Sequence, residues 1–358
     1  MKVGILSMQQ ITNYGSFLQA YGLKSILERL GHDVEFVNIV PGEQLPQYRI
    51  GKLHKVNLML KRLKVKHPLR QLQCTLKLHR RFDNEFKREL GVKEGKTETR
   101  FDAVVIGSDE VFNVAQTTWF GFSTQLFGEN LNADKVISYA GCFGATTIAK
   151  LKELGIDRRV GELMARMDAI SVRDKNSVDI VTSLTNVEPN LNVDPVIAYG
   201  FDNEVRLPDI KDEYLLVYTY PGRMNNSKEV KAITAYAKKK NLKIVAIANY
   251  FDWVDEVVTP HPFEVLGYFK RASCIVTDTF HGAVMSLKFN KSFAVIVRGM
   301  NSNKLTFLLE QFNLDSRIAE KAENITGILE EKIDYVPVNA AIERERKNTV
   351  DYLKFNLE

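Results

Sequence analysis

Cysteine is scarce in this sequence, whose 358 residues include only Cys74, Cys142 and Cys274. These cysteines lie far apart, and their spacing fits neither a zinc site nor a disulfide framework. We therefore expect no metal centre and a reducing, cytoplasmic setting. Long hydrophobic runs are missing too, because no apolar stretch approaches the roughly 18 residues that a membrane span needs. The strand-like run after Lys2 is too short for the core of a signal peptide.

Several catalytic and binding signatures are also absent. The sequence contains no Walker loop, no H-E-x-x-H pair, no Ser-His-Asp order and no G-x-G-x-x-G fingerprint in its first loop. No nucleic-acid-binding motif accompanies the basic residues, so we expect no nucleic-acid partner. What is present is a globular composition, 45% hydrophobic and 26% charged, with a net charge of +5. The length predicts two domains.

One long stretch has no carboxylate, because every charged residue between Lys52 and Arg81 is basic. Leucines are interspersed among these lysines and arginines, which is typical of a basic amphipathic helical arm. One prediction is therefore peripheral contact with an anionic membrane through Lys52–Arg81. The alternative is a solvated helical hairpin that packs on its own domain.

Strand-like and helical segments alternate along the chain, which predicts parallel strand–helix–strand units with helices on both faces of each sheet. We expect an α/β fold with two Rossmann-like, doubly wound domains that face each other across a cleft. The N-terminal domain is predicted at residues 1–195, with a basic helical insertion at 50–90, and the C-terminal domain at 196–335. Residues 336–358 are predicted to form a helix that packs back on the N-terminal domain.

The most informative segment surrounds His281, which falls where a strand-length apolar run gives way to a helical pattern. Ligands of open α/β sheets collect beyond the carboxyl ends of the strands, and the start of a helix suits an anion. His281 is therefore a candidate catalytic residue. Thr279 and Gly282 are candidate substrate-binding residues, since a glycine lets the backbone approach a ligand closely. The alternative is a histidine that only caps the turn.

Two loops that follow predicted strands of the N-terminal domain carry further candidates. In the first loop, Asn13 and Gly15 can contact substrate, and the alternative is a plain helix cap. In the second loop, Asp109 is a candidate catalytic residue that can orient a sugar hydroxyl or accept its proton. Ser108 and Asn113 can add hydrogen bonds to the substrate. An acid at a strand end can also do no more than cap the next helix.

Three basic side chains are candidates for binding an anionic substrate. Arg173 leaves a buried strand, and its planar guanidinium suits carboxylate or phosphate. The alternative for Arg173 is an internal salt bridge with Asp174 or a neighbour. Arg298 and Lys304 follow a strand of the C-terminal domain, where they can add positive charge near a bound anion or simply be surface charges.

Taken together, these motifs resemble those of the polysaccharide pyruvyl transferase family. Each motif is weak alone, but their order and spacing cover nearly the whole chain. They are Asn13-Tyr14-Gly15, Leu18-Gln19-Ala20-Tyr21, Gly107-Ser108-Asp109-Glu110-Val111-Phe112-Asn113, Ser138-Tyr139-Ala140-Gly141-Cys142-Phe143-Gly144, Ser171-Val172-Arg173-Asp174 and Thr277-Asp278-Thr279-Phe280-His281-Gly282. Phe112 stands where tryptophan is usual in the family, and Gly141-Cys142 stands where small alanine or serine residues are usual.

The resemblance implies a GT-B-like fold and a transfer of pyruvate from phosphoenolpyruvate to saccharide hydroxyls, which forms a pyruvate ketal in bacterial exopolysaccharide, capsule or cell-wall glycan. It implies that phosphoenolpyruvate is a co-substrate, that no cofactor is needed and that the saccharide acceptor can be lipid-linked. By the same resemblance, His281 is the acid/base and Arg173 a phosphoenolpyruvate ligand. Two other functions stay open, a GT-B-like glycosyltransferase with a nucleotide-sugar donor and a non-catalytic saccharide-binding protein on the same fold.

Overall fold

The computed structural model describes residues 1–45, 67–93, 95, 97–115, 118–299 and 302–358. The part of the predicted basic arm before His67 therefore lies outside the described residues. The chain divides into two compact units. The first unit comprises Met1–Arg49, Lys87–Gly200 and Ala340–Glu358, and the second comprises Ile50–Phe86 and Phe201–Asn339.

Each unit is built around one parallel β-sheet. All pairings between its strands run in the same direction. The strands in the described residues are β1 (Lys2–Leu6), β2 (Asp33–Phe36), β3 (Phe101–Asp109), β4 (Ala133–Gly141), β5 (Ser171–Val172), β6 (Asn190–Leu191), β7 (Tyr214–Tyr218), β8 (Lys243–Ile247), β9 (Glu256–Val258), β10 (Cys274–Thr277) and β11 (Ser292–Val295).

Helices supply most of the crossovers that parallel strands require. The α-helices in the described residues are α1 (Tyr14–Arg29), α2 (Pro68–Arg81), α3 (Lys87–Leu90), α4 (Ile148–Glu153), α5 (Asp157–Met164), α6 (Lys175–Thr185), α7 (Pro195–Tyr199), α8 (Ser227–Lys239), α9 (Pro262–Arg271), α10 (Phe280–Lys288), α11 (Ser302–Gln311), α12 (Asn324–Glu330) and α13 (Tyr335–Leu357). A π-helical turn follows α2 at Phe82–Phe86, and 3₁₀ turns lie at Thr124–Phe127 and Asp315–Arg317. In the described part of the chain, no helix is both long enough and apolar enough to cross a membrane.

The sheet of the first unit has six strands in the order β2-β1-β3-β4-β5-β6. From β1 the chain winds outward to β2, and it then crosses to the other side of β1 and continues through β3 to β6. This is a flavodoxin-like doubly wound order, whose topological switch point lies between β1 and β3. The register from Val3↔Ala103 to Leu6↔Ile106 places the carboxyl ends of these two strands side by side.

The sheet of the second unit has five strands in the order β11-β10-β7-β8-β9. The chain winds from β7 to β9 on one side and then crosses β7 to form β10 and β11 on the other. Its switch point therefore lies between β7 and β10, where Thr277 is in register with Tyr218. Strands such as β7 are continuous apolar runs because helices cover both faces of a sheet of this kind.

The apolar core of the first unit contains an aromatic cluster beside the carboxyl end of β4. The Phe112 ring lies 5.3 Å from the Phe143 ring and 5.4 Å from the Phe127 ring, measured between centroids. A Cβ atom on Gly141 would come within 2.4 Å of the Phe112 ring. A side chain at position 141 would therefore clash with the Phe112 ring.

Helix α2 belongs to the second unit, whereas the insertion at 50–90 was predicted within the N-terminal domain. The reason is a set of hydrogen bonds to the loop after β8. Gln71 donates from Nε2 to Asn249 Oδ1 at 3.3 Å, and its Oε1 accepts from the Tyr250 N–H at 2.9 Å. Helix α3, by contrast, belongs to the first unit.

Residues Ala340–Glu358 of helix α13 belong to the first unit. The Tyr352 hydroxyl donates to the carbonyl of Ser138 at 2.8 Å. The Tyr139 hydroxyl lies 3.0 Å from the Thr349 hydroxyl and donates to the Val193 carbonyl at 2.9 Å. These buried hydrogen bonds attach the last helix to β4, the strand that carries the Ser138–Gly144 motif.

Candidate active site

The candidate residues of the first unit lie at the switch point between β1 and β3. Asn13 and Gly15 belong to the connection that follows β1, and Ser108 and Asp109 end β3. Crevices beyond the carboxyl ends of strands at such a point are the usual ligand sites of open α/β sheets. The topology therefore brings the two loops that the sequence predicts as functional to one edge of this sheet.

Asp109 is held at that edge by a buried hydrogen-bond network. Its Oδ2 accepts from Ser16 Oγ, and its Oδ1 accepts from Arg173 Nη2, each at 3.0 Å. Arg173 also donates from Nη1 to Asp194 Oδ2 at 2.5 Å. The Arg173 side chain is only 1% exposed. The structure thus joins Asp109 to Arg173, and it adds Ser16 and Asp194, which the sequence analysis does not single out.

The charge of Arg173 is stabilised although the side chain is buried. Burial by itself lowers the pKa of the guanidinium, because desolvation disfavours the charged form. Neighbouring groups outweigh this effect and raise that pKa, and they belong to Cys142, Asp109, Asp194 and Glu110. The internal ion pair considered as the alternative for Arg173 is therefore present, but with Asp109 and Asp194. Asp174 instead caps α6 by accepting from the Ser177 N–H at 2.9 Å.

Ser108 is fully buried and supports the turn that presents Asp109. Its Oγ accepts from the Asp109 N–H at 2.6 Å, and its carbonyl accepts from Ser7 Oγ at 3.1 Å. Asp109 has a φ of +75°, a backbone conformation that side-chain-bearing residues rarely adopt. A Cβ atom on Gly107 would lie 2.1 Å from the Tyr139 carbonyl oxygen. The turn therefore requires glycine at position 107.

Asn13 and Asn113 both make local hydrogen bonds in the structure. The Asn13 side chain accepts from the Gly15 N–H at 2.7 Å and so caps α1. Asn113 donates from Nδ2 to Glu110 Oε2 at 2.6 Å, and its Oδ1 accepts from Thr146 Oγ1 at 2.9 Å. The helix cap considered as the alternative for the Asn13 loop is therefore present.

In the second unit, Asp278 lies just beyond the switch point between β7 and β10 and is fully buried. Its Oδ1 accepts from Thr219 Oγ1 at 2.6 Å, and its Oδ2 accepts from Arg298 Nε at 2.7 Å. The two terminal nitrogens of Arg298 donate to the Glu229 carboxylate at 3.2 and 2.9 Å. Arg298 therefore joins two carboxylates, a role that the sequence analysis does not predict.

His281 lies in the first turn of α10 and is 7% exposed. Its ring packs edge-on against the Phe280 ring, with centroids 5.4 Å apart. The helix is capped by Thr279, whose Oγ1 accepts from the Gly282 N–H at 3.0 Å, so His281 is not the capping residue. The Lys304 ammonium lies 5.8 Å from the centre of the Phe280 ring. These predicted residues are thus near neighbours in the second unit.

Gly282 is required by the close packing of the Thr277–Thr279 turn. A Cβ atom there would lie 2.1 Å from Thr277 Oγ1, a buried hydroxyl already bonded to the Tyr218 carbonyl, and 2.7 Å from Thr279 Oγ1. We expect Gly282→Ala to lower the free energy of unfolding by about 1–3 kcal/mol, because overpacking displaces neighbouring atoms. Chemical denaturation of the purified variant measures this change.

Gly327 offers a matched control, because it lies in helix α12 with no atom within 4 Å of the Cβ position. Gly327→Ala is expected to raise the free energy of unfolding by about 0.5–1 kcal/mol, since alanine is the better helix former. Equal effects of the two substitutions would contradict the steric argument for Gly282.

Within the described ranges, no group of three or more His, Cys, Asp or Glu side chains is placed to hold a metal ion. The cysteines are free thiols, and burial raises the pKa of Cys274 to about 12. A thiol with that pKa stays protonated at neutral pH and is neither a good nucleophile nor a good metal ligand.

Comparison of the sequence with known protein families shows which family the chain belongs to. The family described as polysaccharide pyruvyl transferase matches residues 13–299, a range that contains every motif described above. The chain belongs to this family. The resemblance inferred from the motifs is thereby confirmed. Among curated proteins, none matches this sequence.

Solved structures similar to this polysaccharide pyruvyl transferase family member show its fold. UDP-GlcNAc 2-epimerase from Neisseria meningitidis, solved bound to UDP-GlcNAc, has a TM-score of 0.50 and 11% identity over 99% of this chain and 100% of that chain. The glycosyltransferase SsfS6 from Streptomyces sp. SF2575 has a TM-score of 0.49 and 11% identity, with 99% of each chain covered. With the two doubly wound sheets, the first likeness confirms the predicted α/β fold of the GT-B kind.

Proposed function

We propose that this protein transfers pyruvate from phosphoenolpyruvate to hydroxyls of a saccharide, leaving a pyruvate ketal and inorganic phosphate. The observation that carries the proposal is the family match over residues 13–299. The placement of His281 at the start of α10 supports it. The reaction needs a proton donor close to a bound anion, and the start of a helix favours an anion. The product would belong to a bacterial exopolysaccharide, capsule or cell-wall glycan.

The reaction needs a defined set of proton and charge transfers. A proton adds to the methylene carbon of the enol phosphate, and positive charge develops at C2. One hydroxyl oxygen attacks C2, the bond between C2 and the phosphate oxygen breaks, and a second hydroxyl completes the ketal. The two acceptor hydroxyls lose two protons in total. One of them replaces the proton that was added to the methylene carbon, and the other leaves on the released phosphate. The enzyme must therefore supply an acid, a base and a cation for the phosphate.

His281 is the proposed acid and base. An imidazole can both donate and accept a proton, so one side chain can protonate the methylene carbon and then take a hydroxyl proton. The start of α10 adds backbone N–H groups and a positive dipole end, which favour a bound phosphate or carboxylate. Lys304, which lies over Phe280 beside His281, is the proposed cation for this anion.

Asp109 is proposed to orient the acceptor hydroxyl or accept its proton. Both terminal nitrogens of Arg173 donate to carboxylates, one of them on Asp109. We therefore propose that Arg173 is a positioning residue that holds Asp109, although the family resemblance implies contact with phosphoenolpyruvate. The cysteine usage and the phosphoenolpyruvate donor fit a cytoplasmic enzyme.

The test is an assay of donor and product together. We expect phosphate release from phosphoenolpyruvate that depends on an added bacterial glycan, together with the mass gain of one pyruvyl ketal on that glycan. A parallel series with nucleotide sugars in place of phosphoenolpyruvate is expected to give no transfer. Glycosyl transfer from a nucleotide sugar, with no phosphate release from phosphoenolpyruvate, would overturn the proposal in favour of a glycosyltransferase.

A further inference from the structure

Helix α2 presents a continuous outward face in the second unit. None of its side chains is buried. The half-buried residues are Gln71, Cys74, Thr75, Leu78 and Arg81, which share one side of the helix. On that side Gln71 bonds to the β8 loop through Asn249 and Tyr250. The rest of the helix surface therefore faces away from the unit.

That outward face carries a stripe of leucines. Leu69 is 74% exposed, and Leu72 and Leu76 are each 51% exposed. At 100° per residue, positions separated by three and four residues fall within an arc of about 60°. Exposed leucines are common singly, but three in line on one face indicate a surface that binds something apolar.

Basic side chains border the leucine stripe. Lys77 and Arg80 are exposed on the same outward side, Arg70 is exposed on the flank next to the β8 loop, and the helix contains no carboxylate. Arg70 is fixed by a hydrogen bond to the Tyr250 hydroxyl at 2.9 Å and lies over that ring. Arg81, on the inner side, is paired with Glu85 of the following turn. The outward face is thus apolar along one edge and positive along the other.

We propose that the α2 face docks onto an anionic phospholipid bilayer, with Leu69, Leu72 and Leu76 at the acyl boundary and the basic residues on the headgroups. Helices that lie on anionic bilayers combine an apolar stripe with a cationic stripe, as this helix does. An acidic polymer would use the charges but not the leucines. A second copy of this chain would bring two positive faces together, and like charges repel.

Flotation with vesicles tests this proposal without any assay of catalysis. Vesicles of equal parts phosphatidylglycerol and phosphatidylcholine are expected to carry the protein, whereas phosphatidylcholine vesicles are not. Raising the salt should weaken the binding, because the headgroup contacts are screened. The joint substitution Lys77→Gln and Arg80→Gln is expected to lower the partition coefficient about 30-fold, because each basic residue contributes roughly 1 kcal/mol to the free energy of membrane binding.

Two further variants separate the possible occupants. Joint Leu69→Ser, Leu72→Ser and Leu76→Ser substitution should reduce vesicle binding by at least about tenfold. The matched control, Lys228→Gln with Lys231→Gln, removes the same charge from exposed positions of helix α8 and should bind like the parent protein. Failure to bind anionic vesicles, unchanged binding of the leucine variant, or an equal loss in the control overturns the proposal. A dimer that the leucine substitutions dissociate also overturns it, in favour of a second copy.

Discussion

Replacing His281 by alanine is expected to reduce phosphate release from phosphoenolpyruvate by about 10²–10⁴-fold. Removal of a general acid/base typically has an effect of this size. The substitution is expected to leave the fold intact, because the turn is capped by Thr279 rather than by His281. A continuous phosphate assay with a saturating glycan acceptor measures the change in kcat, and circular dichroism verifies the fold.

His261 provides the matched control for this experiment. It is 8% exposed, nearly the same as His281, and it caps helix α9 by accepting from the Phe263 N–H at 3.3 Å. His261→Asn keeps a good capping side chain and is expected to retain activity. If His281→Ala turned over at the parental rate, or if both variants lost activity equally, His281 would not be the acid/base.

Much of the fold can be predicted because its strands are continuous apolar runs. The run Tyr214–Tyr218 predicts β7, and Cys274–Thr277 predicts β10, with the bounds that the structure shows. The periodicity does not predict β6 or β9. These strands have only two and three residues, none of them fully buried, so they are too short to show a hydrophobic pattern.

The candidate site can be predicted only in part, because its partners are distant in sequence. The junctions at Asp109 and His281 are recognisable, since each follows a buried strand. The partners that complete the networks are not recognisable in this way. Asp194 stands before a proline and is typical of a helix cap, which it also is, with its Oδ1 accepting from the Val196 N–H at 3.0 Å. Only the fold shows that its other oxygen binds Arg173.

The same limit explains why the role predicted for Arg298 from the sequence differs from the one in the structure. An arginine after a C-terminal strand indicates an anion site when its neighbours are unknown. The structure shows that Asp278 and Glu229 both accept from it. Its positive charge is thus balanced by two carboxylates.

Substituting Arg173 is expected to have the largest effect on stability. Arg173→Met removes the partner of two carboxylates, and the loss of one member of a buried ion pair lowers the free energy of unfolding by about 3–5 kcal/mol. Arg158 is a matched control, since its pair with Glu162 is exposed. Arg158→Met should change the free energy of unfolding by about 0.5 kcal/mol or less, and chemical denaturation compares the two variants.

Arg173→Lys and Asp109→Asn separate positioning of Asp109 from direct binding of phosphoenolpyruvate. A lysine lacks the planar guanidinium whose two terminal nitrogens bond to Asp109 and Asp194. The Asp109 carboxylate therefore loses its orientation, while the positive charge remains. We expect both variants to lower kcat with little change in the KM for phosphoenolpyruvate. The double variant should lose no more activity than the worse single variant, because Arg173 acts through Asp109. Additive losses, with a raised KM for phosphoenolpyruvate in Arg173→Lys alone, would instead mean that the guanidinium contacts the donor and that the ion pair opens during the reaction.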